Sequence, residues 1–563
     1  MKKIFINVSF AAVLLAMGCS RDRYAELNTD PSQVGVTVVL PEMLFPNAPL
    51  ALHTNDFEAY YDFNRNIEYW IGAWVPLGGN SGIITRFRTP TTASSYPYRY
   101  DNLYFRETTG AGGAMLGLRE VIDKMPAGER AKHLHMRAIS YVPMAYGAFN
   151  LSDAIGSVAY TQGMRARYTD PPLLKPKFDT QEALYDTLEN ELKAAVAVLS
   201  APPSVEQKKL GTYDLYFRGT GNESLNWAQA ANSLRLRIAM RMLKRKPQAA
   251  AAIINSVLTD AVGPINSRAS NWVFKGGENV GNGGNYNLAA ALSGQKASID
   301  FQYKTTDPRM RIMYQKVALT EAQFNTFKAN GTIAASEVYQ TYRGRPTSPD
   351  AQNNPATRFY FNYITGTTAY VSYMQQALFN RAVGLGFLNY PVITYAEVCF
   401  MRAELAARGI TAENAAEWYY KGIDASCADY DQWGKDANVA EYVALSTAEV
   451  TAYKNHPDIV YNPAKGVEQI AIQQFFHHWK NPSELWANIR RTGYPSPTGV
   501  VFQAERIMNN GVEQVMPRRW SLFMPPITDL NYENRKAAIE EMQKDPELGD
   551  LTDITGRVWW DKK

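Results

Sequence analysis

Six histidines, 54 acidic side chains and three cysteines are the groups from which this 563-residue chain would have to build a catalytic centre. The histidine spacings do not suit a metal. KHLH (132–135) separates two imidazoles by two residues and FFHHW (475–479) sets His477 beside His478, whereas a helical zinc pair needs a step of four to share one face. Both therefore read as helix-face residues. The glycine-rich GGENVGNGGN (276–285) lacks the Lys-Ser/Thr that completes a phosphate loop and follows no clear strand, so it reads as a flexible loop. Adjacent acids such as Glu540 and Glu541 are unavoidable among 54, and catalytic carboxylates are defined by their separation in space. No residue is nominated for catalysis, and no metal site or cofactor is expected.

The aromatic residues suggest binding instead: 34 Tyr, 23 Phe and 11 Trp are more than a core alone calls for. In SSYPYRYDNLYF (94–105) Tyr96, Tyr98 and Tyr100 alternate beside Pro97 in an otherwise polar loop, and in SNWVFKGGENVGNGGNYN (270–287) Trp272 and Tyr286 flank the glycine loop. In NIEYWIGAWVPLGGN (66–80) Ile67, Trp70, Ile71 and Trp74 recur at i, i+3, i+4 and i+7, the mark of a buried helical stripe. Trp70 then belongs to the core, while Trp74, at the helix end, is open to core or ligand. Rigid aromatics on loops held by a scaffold grip a flexible oligomer at low entropic cost. The expected site is Trp74, Tyr96, Tyr98, Trp272 and Tyr286, with Asn80 and Arg86 as polar contacts. Such rings suit the apolar face of a sugar edged by hydroxyls, or the side chains of a peptide, and the residues leave both open.

The amino terminus asks for a different chemistry. Lys2 and Lys3 precede about a dozen apolar residues that stop at Gly18-Cys19, the layout of a secretory signal. Leu15-Ala16-Met17-Gly18-Cys19 is similar to a bacterial lipobox, in which the thiol is acylated before cleavage, although Ala16 stands where leucine is usual. The expected organisation is a signal peptide over 1–18, a lipidated tether over 19–35 beginning at Cys19, and one domain over 36–563. No second apolar run reaches 18 residues, so the body is expected to be soluble and held to a membrane through its amino terminus alone. The formal charge of +4 falls to +2 without the two lysines and contains no block of like charges, which argues against nucleic acid. Cys399 and Cys427 are too few for a disulfide scaffold and read as buried thiols, with a bridge between their two consecutive helices left open as the alternative.

The elements that must position these residues are mostly helical. Residues 132–150 carry a helical period interrupted by Pro143, residues 179–200 open on the capping sequence Asp179-Thr180-Gln181-Glu182, and residues 226–243 align Trp227, Ala231, Leu234, Ile238 and Met242. Residues 394–409, 412–430 and 466–479 are helical too, and RMLKRK (241–246) reads as a solvated, cationic helix end. Alanine-rich faces such as Ala396, Cys399, Ala403 and Ala406 let paired helices approach as tetratricopeptide-like pairs do. Residues 76–112, 262–306 and 341–390 are irregular and rich in Gly, Asn, Thr, Pro and Tyr, the setting expected of functional loops.

Several segments in order resemble one family, the SusD/RagB-type nutrient-binding outer-membrane lipoproteins, in its SusD-like, starch-binding-associating branch. They are AELNTDPS (25–32), NLSDAIGSVAY (150–160), NWAQAANSLRLRIAMRM, TDPRM (306–310), PVITYAEVCFMRAELAARG, AEWYYKGIDAS, LWANIRRTGYP (485–495), MPRR (516–519) and VWWD (558–561). The resemblance implies a mostly α, single-domain SusD-like fold with about four tetratricopeptide-like helix pairs on one face and long irregular loops on the other. It also implies an outer-membrane location facing the exterior, no catalysis, and delivery of an oligosaccharide or oligopeptide to a SusC-type TonB-dependent transporter. A lipid-anchored hydrolase, and a lid with no nutrient affinity, are the alternatives. The matched motifs are scaffold residues, so the aromatic site rests on the residues themselves.

Overall fold

The computed structural model describes residues 39–54, 58, 62–63, 67–76, 98–104, 110–277, 292–361, 369–522 and 524–563. Its helices begin where the sequence offers a cap and carry their apolar residues inward. Eight of them form four pairs: α1 (Ala111–Asp123) with α2 (Tyr141–Ile155), α3 (Gln181–Ser200) with α4 (Glu223–Met242), α5 (Tyr395–Ala407) with α6 (Ala415–Asp436), and α7 (Gly466–His477) with α8 (Pro482–Thr492). Thr180, Thr394, Asn414 and Asn481 each accept a backbone N–H in the first turn of α3, α5, α6 and α8, satisfying a donor that the helix cannot. Pro143 sits in the first turn of α2, where a missing N–H costs nothing. The chain therefore breaks at Ser140, between the short helix Leu134–Ile139 and α2, rather than kinking at the proline.

Within pairs the small residues decide the approach. A Cβ on Gly422 of α6 would lie 2.4 Å from a ring carbon of Phe400 of α5, so only glycine lets these two helices meet at this distance. The predicted stripe of α4 is fully inside, with Trp227, Ala231, Leu234, Ile238 and Met242 all at most 1 % exposed. One contiguous core runs from Phe45 to Trp560, and a smaller one gathers Val317, Phe324, Tyr360 and Tyr370.

Charge also crosses between the pairs. On α4, Arg237 donates to Glu397 of α5 (2.7 Å), and Arg241 to Glu484 of α8 (2.6 Å) and Asp153 of α2 (3.3 Å), so this buried network touches one helix of every pair. Arg241 is therefore not part of a solvated helix end, as RMLKRK suggested. It is 2 % exposed because two carboxylates, those of Asp153 and Glu484, replace its water. Cys399 and Cys427 are free, buried thiols, and burial pushes each up to about 12.

The irregular side holds three two-stranded antiparallel ladders among the described residues, which join β1 (Trp74–Pro76) to β3 (Leu292–Gly294), β2 (Trp272–Gly276) to β4 (Leu388–Ile393), and β5 (Met508–Asn509) to β6 (Val512–Glu513). Three expectations change here. Residues 67–76 form turns and a strand instead of a helix, Tyr98–Tyr104 is a helix instead of a loop, and β2 directly precedes the glycine-rich stretch. Among the described residues no helix is long and apolar enough to cross a membrane.

Candidate functional site

The ladder between β1 and β3 holds Trp74, the first of the predicted aromatics. Trp74 pairs with Gly294 and Pro76 with Leu292, and residues 77–97 and 278–291 adjoin these strands in the sequence. Those segments carry Asn80, Arg86, Tyr96 and Tyr286, which lie outside the described residues, as does Cys19. Tyr98, half-buried, starts the helix Tyr98–Tyr104, and its backbone N–H donates to the Asp62 carboxylate (2.9 Å).

The two tryptophans of the predicted site are core side chains, which corrects the expectation that they face a ligand. Trp74 is 2 % exposed and stands edge-on to Phe379 at 5.1 Å and Trp479 at 5.6 Å. Trp272 is 0 % exposed, with Tyr146 at 5.4 Å, Tyr216 at 5.7 Å and Trp227 at 5.8 Å. Trp70, assigned to the core from its spacing, is instead half-buried at the wall of a cleft. The cause is Gly72: its φ of +73° belongs to the left-handed region, which ends the turn and lets β1 begin, so the helical period stops applying between Trp70 and Trp74. A glycine two residues after Trp70 and a proline at position 76 were the signal for this break.

The cleft encloses about 550 Å³, within the range of small-ligand sites. Tyr69 and Trp70 form an aromatic wall, their rings 6.1 Å apart, while Phe475 and Phe502 supply apolar surface and Pro495 and Pro497 a stiff edge. Polar groups alternate with them. Gln295, at the end of β3, caps the helix Lys296–Thr305 by accepting from Ser298 (3.1 Å) and donates its amide to Glu505. The Ser298 hydroxyl donates to the Gly72 carbonyl (2.8 Å), which ties the turn under Trp70 to this helix. Glu505 accepts further from the N–H groups of Thr347 (2.7 Å) and Ser348 (2.8 Å). The other charges in the wall are paired as well: Glu513 with Arg506 (2.8 Å), and Arg518 with Asp561 (2.7 Å). A flat ring beside fixed amide, hydroxyl and carboxylate edges can hold an uncharged polyhydroxylated ligand. Glu68, the residue before Tyr69, has its carboxyl raised well above the usual range by burial.

A second cavity, of about 490 Å³, adjoins Gly277 and is lined by Phe274, Phe387, Arg218, Lys275 and Arg381, with Lys275 paired to Asp436 at 3.0 Å. His477 and His478 are buried inside the fold. The first exchanges hydrogen bonds with Thr394 (2.7 Å) and Ser426 (3.1 Å), and burial holds both imidazoles well below their ordinary pKa. Among the described residues no group of three or more His, Cys, Asp or Glu is placed to hold a metal ion.

Comparison with known proteins gives a family-model match over residues 84–522 to the SusD-like family described as starch-binding, associating with the outer membrane. Solved structures share the whole architecture. A chitin-binding protein superposes with a TM-score of 0.69 at 21 % identity, covering 93 % of this chain and 100 % of its own. A SusD-like protein of Bacteroidetes gives 0.67 at 23 %, with the same coverage. A chitin-binding SusD homologue from Flavobacterium johnsoniae gives 0.61 at 17 %, covering 93 % and 99 %. No curated protein matches the chain.

Proposed function

The chain belongs to the SusD-like family of starch-binding, outer-membrane-associating proteins, and from that premise we propose that it captures an oligosaccharide at the cell surface and passes it to a SusC-type TonB-dependent transporter. It acts by binding and not by turnover. Acylation of Cys19 anchors it to the outer membrane, with the tether over 19–35 holding the helical body. The observation that carries the glycan reading is the Trp70 cleft, where an aromatic wall stands beside hydrogen-bonding edges whose charges already have partners. An uncharged sugar can bury its apolar face there without stranding a charge. Two structural neighbours are named for chitin binding, which makes chito-oligosaccharides the first ligands to try. Asn80, Arg86, Tyr96 and Tyr286, which lie outside the described residues, and Tyr98 are retained as candidate contacts for the same ligand.

Calorimetry of the full chain against chito-oligosaccharides, malto-oligosaccharides and mixed peptides, followed by mass spectrometry of each mixture, tests the proposal. A glycan should bind and be recovered intact, and Trp70→Ala should lose that binding at an unchanged melting temperature. Reproducible cleavage overturns the binding role, and binding of peptides alone overturns the ligand class. Co-purification with the transporter in the absence of any ligand heat would make the protein a lid.

A further inference from the structure

A cavity of about 450 Å³ opens where the carboxyl end of α4, the helix Pro247–Thr259, the turn after α5 and residues 560–562 meet. It shares no lining residue with the Trp70 cleft. Its apolar surface comes from Leu243, Ala251, Ile410 and the buried indole of Trp560. Lys244, Arg408, Arg491 and Lys562 surround that surface, and Arg241 lies at its base.

Carboxylates do not keep pace with these cations. Asp561, the sole acid in the wall, is shared between Arg518 (2.7 Å) and Arg557 (3.0 Å). Glu404 serves both Arg408 (2.8 Å) and Arg491 (2.6 Å), which hold it down at about 2 against the cost of its burial. Behind Trp560, Arg490 is 2 % exposed and has only carbonyls for partners, those of Asp153 (2.9 Å) and Arg518 (2.7 Å). Its guanidinium is stacked 3.6 Å from the Trp486 ring centre and 4.7 Å from that of Trp560, and its Nε and Nη2 have no hydrogen-bond partner. Burial lowers Arg490 to about 10. Lys244, although exposed, is lowered too, by partial desolvation and by repulsion from Arg557, Arg518 and Arg408, which together outweigh the attraction of Asp561. Lys244, Arg408 and Lys562 stand at the exposed rim of the cavity, where Lys244 donates to the Lys562 carbonyl (2.8 Å) rather than to a carboxylate, and such a cationic rim beside apolar surface favours an anion that enters. A small inorganic ion would leave the Trp560 side of the cavity wet, so the complementary ligand has an apolar body as well.

We infer that this cavity binds an amphipathic organic anion, its single carboxylate or phosphate head held among Lys244, Arg408 and Lys562 and its apolar body lying against Trp560 and Ile410. The test is calorimetric titration of the full chain with decanoate, decyl phosphate, decanol and inorganic phosphate, each below its micelle concentration. Decanoate or decyl phosphate should bind at least tenfold more tightly than either decanol or inorganic phosphate, and the stronger of the two identifies the head group. The double variant Lys244→Ala/Lys562→Ala should weaken that binding at least tenfold with its melting temperature unchanged, and Ala251→Trp, at an exposed helix position, should block it by filling the cavity. Equal binding of decanol removes the anion from the proposal, and equal binding of inorganic phosphate removes the apolar body. Failure of both decyl anions to bind at millimolar concentration, or full binding by the double variant, overturns it entirely.

Discussion

An ion pair inside the helical scaffold and one at the margin of the Trp70 cleft use the same charged groups but have lost different amounts of water. Arg309 and Asp307, in the scaffold, are 0 % and 3 % exposed, and their 2.7 Å contact is completed by Ser426, Tyr453 and Gln473. Arg506 and Glu513, at the cleft, keep about half of their side-chain surface in solvent. A buried pair strands a charge when one partner is removed, whereas an exposed pair returns both groups to water. The scaffold is therefore intolerant of polar change and the exposed cleft margin is free to vary, which is the division expected where a rigid frame carries a recognition surface.

The largest effect should come from the scaffold. Arg309→Ala leaves Asp307 without its cation and three neutral partners without their donor, and should cost about 3–5 kcal/mol, read in urea unfolding or as loss of soluble protein. A loss under 1 kcal/mol would erase the distinction between the two regions. Trp272→Ala sharpens the same comparison from the apolar side. Its indole fills the space between Tyr146, Tyr216 and Trp227, so the variant should lose about 3–5 kcal/mol of stability through the cavity left behind. Retained stability with lost glycan binding would restore Trp272 to the ligand site.

How much of this was legible in the sequence follows the same division. The helices α3 to α7 could be read because apolar residues recur at steps of three and four over whole turns and because Thr180 and Gly409 mark ends. The short irregular elements could not. Four residues at helical spacing from Ile67 to Trp74 imitated a stripe, and the break between them, marked in the sequence only by Gly72 and Pro76, is made by the left-handed backbone at Gly72. Trp70 was thereby assigned to the core and Trp74 left open between core and ligand, whereas the first is half-buried and the second enclosed. The cleft itself depends on contacts with no local signature, such as Glu505 with Gln295, 210 residues away, and Thr347, 158 residues away. The Arg241 network was hidden for the same reason, since Glu484 is 243 residues distant.

Lys480 extends the comparison to pH. It donates to the Leu378 carbonyl and lies 4.7 Å from the Phe379 ring centre, and burial pushes it down to about 7. Below pH 7 the folded and unfolded chains both hold the proton and the fold bears the cost of a buried charge. Between about 7 and the ordinary 10.5 the unfolded chain binds more protons, so stability from this group rises with pH across that window. Lys480→Met should flatten that rise and stabilise the protein at pH 6 by on the order of 2–4 kcal/mol; a pH-independent loss of stability instead would mean that the ammonium is needed in its place. Trp70→Ala should do the reverse of a scaffold change. It should cost about 1–3 kcal/mol of glycan binding and leave the melting temperature nearly unmoved, because the ring is only half-buried.

The smallest effect should fall on the exposed pair. Glu513→Gln removes the carboxylate that Arg506 meets at 2.8 Å, yet both side chains are about half in water, where such a pair contributes about 0–1 kcal/mol. Stability should be unchanged within error at 150 mM salt, where a Debye length of about 8 Å screens the remainder. Binding of a neutral oligosaccharide should also be unchanged, since an uncharged ligand gains little from a single surface charge. Acidic oligosaccharides are the informative control: the substitution leaves Arg506 without its carboxylate at the cleft margin, so weak binding of a uronic-acid oligomer should improve a few-fold at low salt and return to the parent value as salt rises. If Glu513→Gln instead abolishes binding of the neutral glycan, the carboxylate is a direct ligand contact, and the cleft selects its sugar through this charge rather than through the Trp70 wall.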